Sequence, residues 1–432
     1  MVEMRFGLRL GFISTFLLGL ITYIGPSSTY AQSTSCWTII TYDSDGTPQS
    51  GRNCVDPVEA ETEKQESQTK RRQQKITESG EIMIADPPFG TKTKLRQMGY
   101  EISGKHRLST LDMEIIVVKT PEDKNLADAL KELIAAFPNS IIDTNDLMDL
   151  SAKASAEDLE LPYDRKTVGW GLVDPQCGFG LKIGMVDGAV DVKHPALKNQ
   201  RLSYKSFIKK GRKAAAYEHG TAVAIMLVGE PGVEDNIGGI LPGAKLYAAN
   251  IFEERAGMVK GNLAAMLRSL DWFAQNKVKV VNMSIAGGIN KIMKLALRKI
   301  EKKGIIIVAA AGNNGSKAAP VWPAADPSVL AITAIDHRLG VYKYANQGKY
   351  IDFAAPGVGI KTLTPQGPKS QTGTSFATPY ITGIVALHLQ MGFKGNVEEL
   401  RKSMQRYSKD LGKSGKDKTY GWGLVRIKPS CS

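Results

Sequence analysis

Residues 278–315, VKVVNMSIAGGINKIMKLALRKIEKKGIIIVAAAGNNG, decide the fold. VKVVNMSIA is too continuously apolar for a strand with one face in water. KIMKLALRKIEKKG follows with helical spacing, and Gly304 closes it as a C-terminal cap. IIIVAAAG is a second apolar strand. Strand, amphipathic helix and strand in this form make the unit of a parallel sheet buried on both faces. The same alternation runs outward from this stretch. LKIGMVD and AKLYAAN read as strands, NLAAMLRSLDWFAQN as a helix with Leu263, Met266, Leu267 and Leu270 in phase, and VLAITAI as a further strand. The expected class is therefore α/β, a doubly wound and mainly parallel sheet over residues 168–428. Sites in such sheets gather at the carboxyl ends of the strands.

Four strand or helix ends offer candidate chemistry. LKIGMVD ends in Asp187, which can cap the next turn or accept a hydrogen bond from an imidazole. His219 opens the apolar helix EHGTAVAIMLVG, and none of the other four histidines has such a glycine context. A helix N-terminus disfavours the imidazolium, and a neutral imidazole is what a general base requires. IIIVAAAGNNG ends in Asn313, which suits a turn but also offers an NH2 donor to a developing oxyanion. In QTGTSFATPYITGIVALHLQ, Ser375 stands where a helix begins, as a cap or as a nucleophile.

In chain order these are Asp187, His219, Asn313 and Ser375. IGMVDGAVDVKHP, HGTAVA, VVNMSIAGG, VAAAGNNG and GTSFATP resemble the successive motifs of the subtilisin-like serine proteases, the subtilases, of the secreted bacterial type with an N-terminal propeptide-like domain. The resemblance covers about 168–427. It implies a serine endopeptidase with Ser375 as nucleophile, His219 as its base, Asp187 orienting His219, and Asn313 as the side-chain half of the oxyanion hole. It also implies a peptide-binding edge at Ser284, Ala286 and Gly287, with Ala311 and Gly312 completing the wall of a roomy specificity pocket. Glu253 and Glu254 fall where the opposite rim of the cleft should lie and read as a solvated loop, with an acidic pair favouring basic substrate residues as the lesser alternative. Two positions depart from the family pattern: Asp187 is followed by Gly188-Ala189 instead of Ser/Thr-Gly, and Ala222 replaces the second histidine of the His219 motif. No acidic loop matches the family's calcium sites, so no metal or cofactor is called for.

The remainder of the chain reads as export and processing. Two arginines, the apolar run LGFISTFLLGLITYIG and small residues at Thr29 and Ala31 make residues 1–31 a secretory signal cleaved after Ala31, placing the protein in the periplasm or outside the cell. No later stretch is long and apolar enough for a stable membrane span. Residues 32–58 read as a hairpin stapled by Cys36 and Cys54, because so small a unit has almost no core. The other two cysteines, Cys177 and Cys431, form the expected second bridge. Residues 59–86 read as a charged linker and 87–150 as a small α/β unit resembling a propeptide in outline. A second linker, 151–167, contains the expected processing site near AEDLELPYDRKT, residues 156–167. Such a unit would act as an intramolecular inhibitor and as a folding template for slow, non-local parallel pairing; the alternative is a permanent accessory domain.

Net charge is +13. No nucleic-acid-binding signature accompanies it, so the charge reads as dispersed over the surface and nucleic acid is excluded as a partner. The expected partner is a peptide or protein substrate. The competing reading is a catalytically silent binding protein on the same scaffold.

Overall fold

The computed structural model describes residues 35–42, 48–55, 77–150, 163–170, 174–234, 238–255, 258–426 and 431, with backbone only before residue 80. The chain divides into two units between Arg71 and Arg72. In the first, β1 (Ser35–Tyr42) and β2 (Pro48–Val55) pair antiparallel with Cys36 opposite Cys54. The side chains of the expected Cys36–Cys54 bridge lie outside the described residues, as do residues 1–31 of the expected signal.

The second unit is built on a nine-stranded sheet. Its central strands are β7 (Lys182–Asp187), β9 (Lys245–Asn250), β12 (Val280–Met283), β14 (Ile306–Ala310) and β15 (Val329–Ile335). β8 (Leu202–Ser206) lies at one edge, and β16 (Phe353–Pro356), β20 (Leu424–Val425) and β19 (Ser408–Lys409) lie at the other. All neighbours run parallel except β19 and β20. The central strands are buried almost throughout, which explains why their sequences do not alternate. One face packs against α4 (Glu218–Val228) and α7 (Thr374–Gln390). The other packs against α5 (Leu263–Gln275) and α6 (Lys291–Lys302).

A second, antiparallel sheet lies on α5 and α6. It contains β3 (Thr77–Ala85), β4 (Glu101–Leu108), β5 (Met113–Lys119) and β6 (Ile141–Leu150). Successive residues of β3 and β5 point to opposite faces. Met83, Ala85, Met113, Ile115 and Val117 meet the α5–α6 layer, whereas Ile82, Ile84, Ile116 and Val118 pack under the helices α1 (Thr91–Gln97) and α2 (Leu126–Ala136). Carboxylates and amides of β6 also serve the two helix starts beneath it. Asp143 accepts from the N–H of Lys291 at 3.0 Å, Asn290 donates to Asp146 at 2.9 Å, and Asn145 accepts from Ala264 at 3.2 Å. Acidic and amide side chains satisfy the free N–H groups of a helix N-terminus and its positive dipole end.

Two boundaries differ from the sequence expectation. β3 lies within residues 59–86, read as linker, because its apolar core is only IMIA and is framed by charge. Those four residues are fully buried. The end of the expected 151–167 linker forms α3 (Tyr163–Val168), which belongs to the large unit: Tyr380 donates to Asp164, and Arg165 donates to the Gly238 carbonyl. Asp164 and Arg165 are both buried here.

Cys177 and Cys431 are joined, across 254 residues of sequence. Chain-entropy arguments put the closure of such a loop at roughly 5 kcal/mol, less any native strain. Cys177→Ser with Cys431→Ser is therefore expected to lower unfolding free energy by about 3–5 kcal/mol in urea titration. An unchanged midpoint would contradict that.

His106 on β4 gives the second unit a pH dependence. Burial, and next the charge of Arg268, pull its pKa from 6.5 to about 4, with Glu81 opposing and Lys209 assisting. The unfolded chain binds this proton more readily than the folded one. Stability from this residue is thus full above about 6.5 and falls as pH drops from there toward 4. Urea midpoints of the native chain and of His106→Gln should diverge over that window; parallel pH profiles would rule out this role.

Candidate active site

Asp187 ends β7 and is fully buried. Its Oδ1 accepts the Gly188 N–H at 2.6 Å and stands 2.6 Å from Nδ1 of His219. The following residue is glycine, which brings no side-chain donor, and Oδ2 has no hydrogen-bond partner among the described residues. His219 is the second residue of α4. Gly220 explains how that helix comes so close: a β-carbon there would stand 2.5 Å from the Ala189 carbonyl oxygen. The helix start is pressed against the turn after β7, and the imidazole reaches the carboxylate from it. Nε2 of His219 is buried and has no hydrogen-bond partner among the described residues.

Asn313 follows β14 and is 6% exposed. Its Oδ1 accepts from both the N–H and the hydroxyl of Thr374, at 3.1 and 3.0 Å. A backbone N–H can only donate, so this fixes which end of the amide is oxygen. Nδ2 is left buried, with no hydrogen-bond partner among the described residues. A buried donor without an acceptor is costly, and such groups mark sites whose acceptor arrives with the ligand.

Ser375 is fully buried in the first turn of α7, after Gly373 at φ 150°. Its two sequence neighbours touch the two groups just described. Thr374 holds Asn313, and the ring of Phe376 is 5.2 Å from that of His219. The arrangement can pass a proton from a hydroxyl to an imidazole steadied by a buried carboxylate, and can meet a developing oxyanion with an amide N–H. The remaining histidines have structural partners or settings. His194 is bonded to the Thr364 carbonyl and the Ala196 N–H, and His388 to the Ile384 carbonyl.

Ser284, Ala286 and Gly287 lie on or beside β13 (Ile285–Ala286), and Ala311 and Gly312 lie beyond β14. Ser284 is oriented by Asn282, which itself accepts from Thr382 of α7. Val321 and Trp322 escaped the sequence reading: Gly287 and Trp322 exchange two backbone hydrogen bonds, at 2.8 and 3.0 Å. The opposite wall is the hairpin of β10 (Phe252–Arg255) and β11 (Met258–Asn262). Glu253, expected on the rim, is buried and paired with Arg212, while Glu254 pairs with Lys213.

The end of β6 runs between these walls. Leu147 and Met148 pair with Asn262 and Gly261 of β11, and Asp149 and Leu150 pair with Ala286 and Ile285 of β13. That placement was absent from the sequence reading as well.

Known proteins of one family resemble this chain. The model described as "Subtilase family" matches residues 178–423. The chain is 31% identical over 257 residues to the minor extracellular protease Epr of Bacillus subtilis, covering 58% of this chain and 38% of that protein. It is 30% identical to subtilisin E of the same organism, with 65% of that protein covered, and 30% identical to subtilisin DY of Bacillus licheniformis, with 90% covered. The crystal structure of fervidolysin from Fervidobacterium pennivorans, described as a keratinolytic enzyme related to subtilisin, superposes with a TM-score of 0.68 at 20% identity. That match covers 81% of this chain and 60% of fervidolysin.

Proposed function

Because this chain belongs to the subtilase family, we propose that it is an exported serine endopeptidase, hydrolysing peptide bonds through Asp187, His219 and Ser375. The observation that carries the proposal is the 2.6 Å contact between buried Asp187 and His219, whose other nitrogen has no hydrogen-bond partner among the described residues and lies on the side of the segment bearing Ser375. His219 takes the Ser375 proton as the hydroxyl attacks the scissile carbonyl. The carbonyl oxygen gains charge and takes the Asn313 N–H. His219 then protonates the leaving amine, and water releases the acyl group by the same steps in reverse roles. Asp187 stays ionised and stabilises the imidazolium.

We read the sheet of β3 to β6 as a propeptide-like domain that inhibits its own enzyme. Antiparallel pairing of β6 with β11 and β13 supports this, since an extended peptide added between two edges is how a substrate backbone is held. The chain runs between the cleft walls from Leu147 to Leu150, which supports a processing site early in residues 151–167. Among the described residues no helix is long and apolar enough to cross a membrane. Export is supported by the N-terminal segment and by the extracellular designation of one relative.

A fluorophosphonate probe tests the proposal after residues up to the processing site have been removed. Labelling at Ser375, located by peptide mass spectrometry, is expected. Absence of label from the processed, folded protein would favour the silent binding scaffold instead.

A further inference from the structure

We propose that Lys260 makes the cleft selective for an acidic side chain, presented by the substrate between two large aliphatic ones. The inference rests on the reading that β6 holds the path a substrate takes.

The last residues of β6 alternate in what they touch. Met148 is 1% exposed and packs into the core beside Gly287, its Cγ 3.4 Å from where a β-carbon on that glycine would stand. Leu150 Cδ1 lies 3.9 Å from the equivalent point on Gly188, next to Asp187. Between them Asp149 points the other way, and its Oδ1 is 2.5 Å from Nζ of Lys260. The Lys260 side chain is 13% exposed and that of Asp149 60%. The cation thus belongs to the cleft wall and the carboxylate to the occupant.

Lys260 stands opposite Glu253 in the β10–β11 register, but Glu253 is engaged by Arg212 from 41 residues away. When β6 leaves, Lys260 loses the carboxylate of Asp149. A substrate with Asp or Glu at that position restores the pair. One with Lys or Arg brings two cations together, and such repulsion is how a cleft rejects wrong partners. Exposed pairs are worth little, so the preference is modest: roughly tenfold between an acidic and a basic residue at this position. The aliphatic neighbours set the register. They hold the acidic side chain toward Lys260 because an extended chain sends alternate side chains to opposite sides.

The test uses processed enzyme and two internally quenched peptides, Asn-Asp-Leu-Met-Asp-Leu-Ser-Ala and the same peptide with Lys for its second Asp. The ratio of kcat/KM between them is independent of the fraction of active enzyme. It should be about tenfold in favour of Asp in the native protein and in Lys260→Arg, near one in Lys260→Ala, and reversed in Lys260→Glu. A native ratio near one, or a native-like ratio in Lys260→Glu, overturns the inference while leaving the protease assignment intact. If the native protein neither cleaves any peptide nor takes a fluorophosphonate label, the underlying reading fails and this one falls with it.

Discussion

Ser375→Ala is expected to lower kcat for peptide hydrolysis by about 10⁶-fold, because no acyl-enzyme can form and the remaining groups act on water alone. The loss should appear in kcat more than in KM, since the cleft walls at β11 and β13 are untouched. The fold should survive. Ser375 is fully buried, but alanine fits within the volume serine leaves, and the helix N-cap is Gly373, not Ser375. A stability change within about 1 kcal/mol is expected. If processing is self-catalysed, the variant will also accumulate with the propeptide-like domain attached, visible as a larger species on a denaturing gel. Hydrolysis at native rates by pure Ser375→Ala protein would remove Ser375 from the role of nucleophile.

The candidate site was legible because strands of a doubly covered parallel sheet are apolar to their ends. A carboxylate after KIGMV, or an amide after IIVAAAG, therefore stands out against its own strand. His219 was legible for a related reason, as a polar residue opening an apolar helix, with Gly220 beside it where a side chain would collide with Ala189. Pairing across distant segments left no such trace. Glu253 looks solvated in its own sequence, and nothing local announces that Arg212 will cover it. Lys260 and Asp149 are 111 residues apart, and their approach exists only because β6 is threaded between β11 and β13. β3 was hidden in the opposite way, by charge around an apolar core of four residues. The bridge between Cys177 and Cys431 was readable by elimination, once Cys36 and Cys54 were assigned to the hairpin.

Asn313 provides the second large effect, and its replacement by aspartate separates two readings. As a turn residue it would tolerate aspartate, which suits turns almost as well. The structure commits its Oδ1 to the N–H and hydroxyl of Thr374, so Nδ2 is the end free to meet a ligand. In Asn313→Asp one carboxylate oxygen can keep the two bonds from Thr374, while the other replaces a donor with negative charge. During attack that oxygen faces a developing anion. Loss of a single donor of this type costs about 10²–10³ in kcat in subtilisin-like enzymes, and the added repulsion places Asn313→Asp at or beyond the upper end. Asn313→Ala should fall within the same range without the charge, although it also leaves the Thr374 donors unsatisfied. In both variants KM should change little, because the donor acts on charge that appears only in the transition state. Thermal unfolding separates structure from chemistry: Asn313→Asp should melt close to the native protein, Asn313→Ala somewhat below it. An Asn313→Asp enzyme, folded and fully processed, that keeps near-native kcat would place the oxyanion donor elsewhere in the cleft.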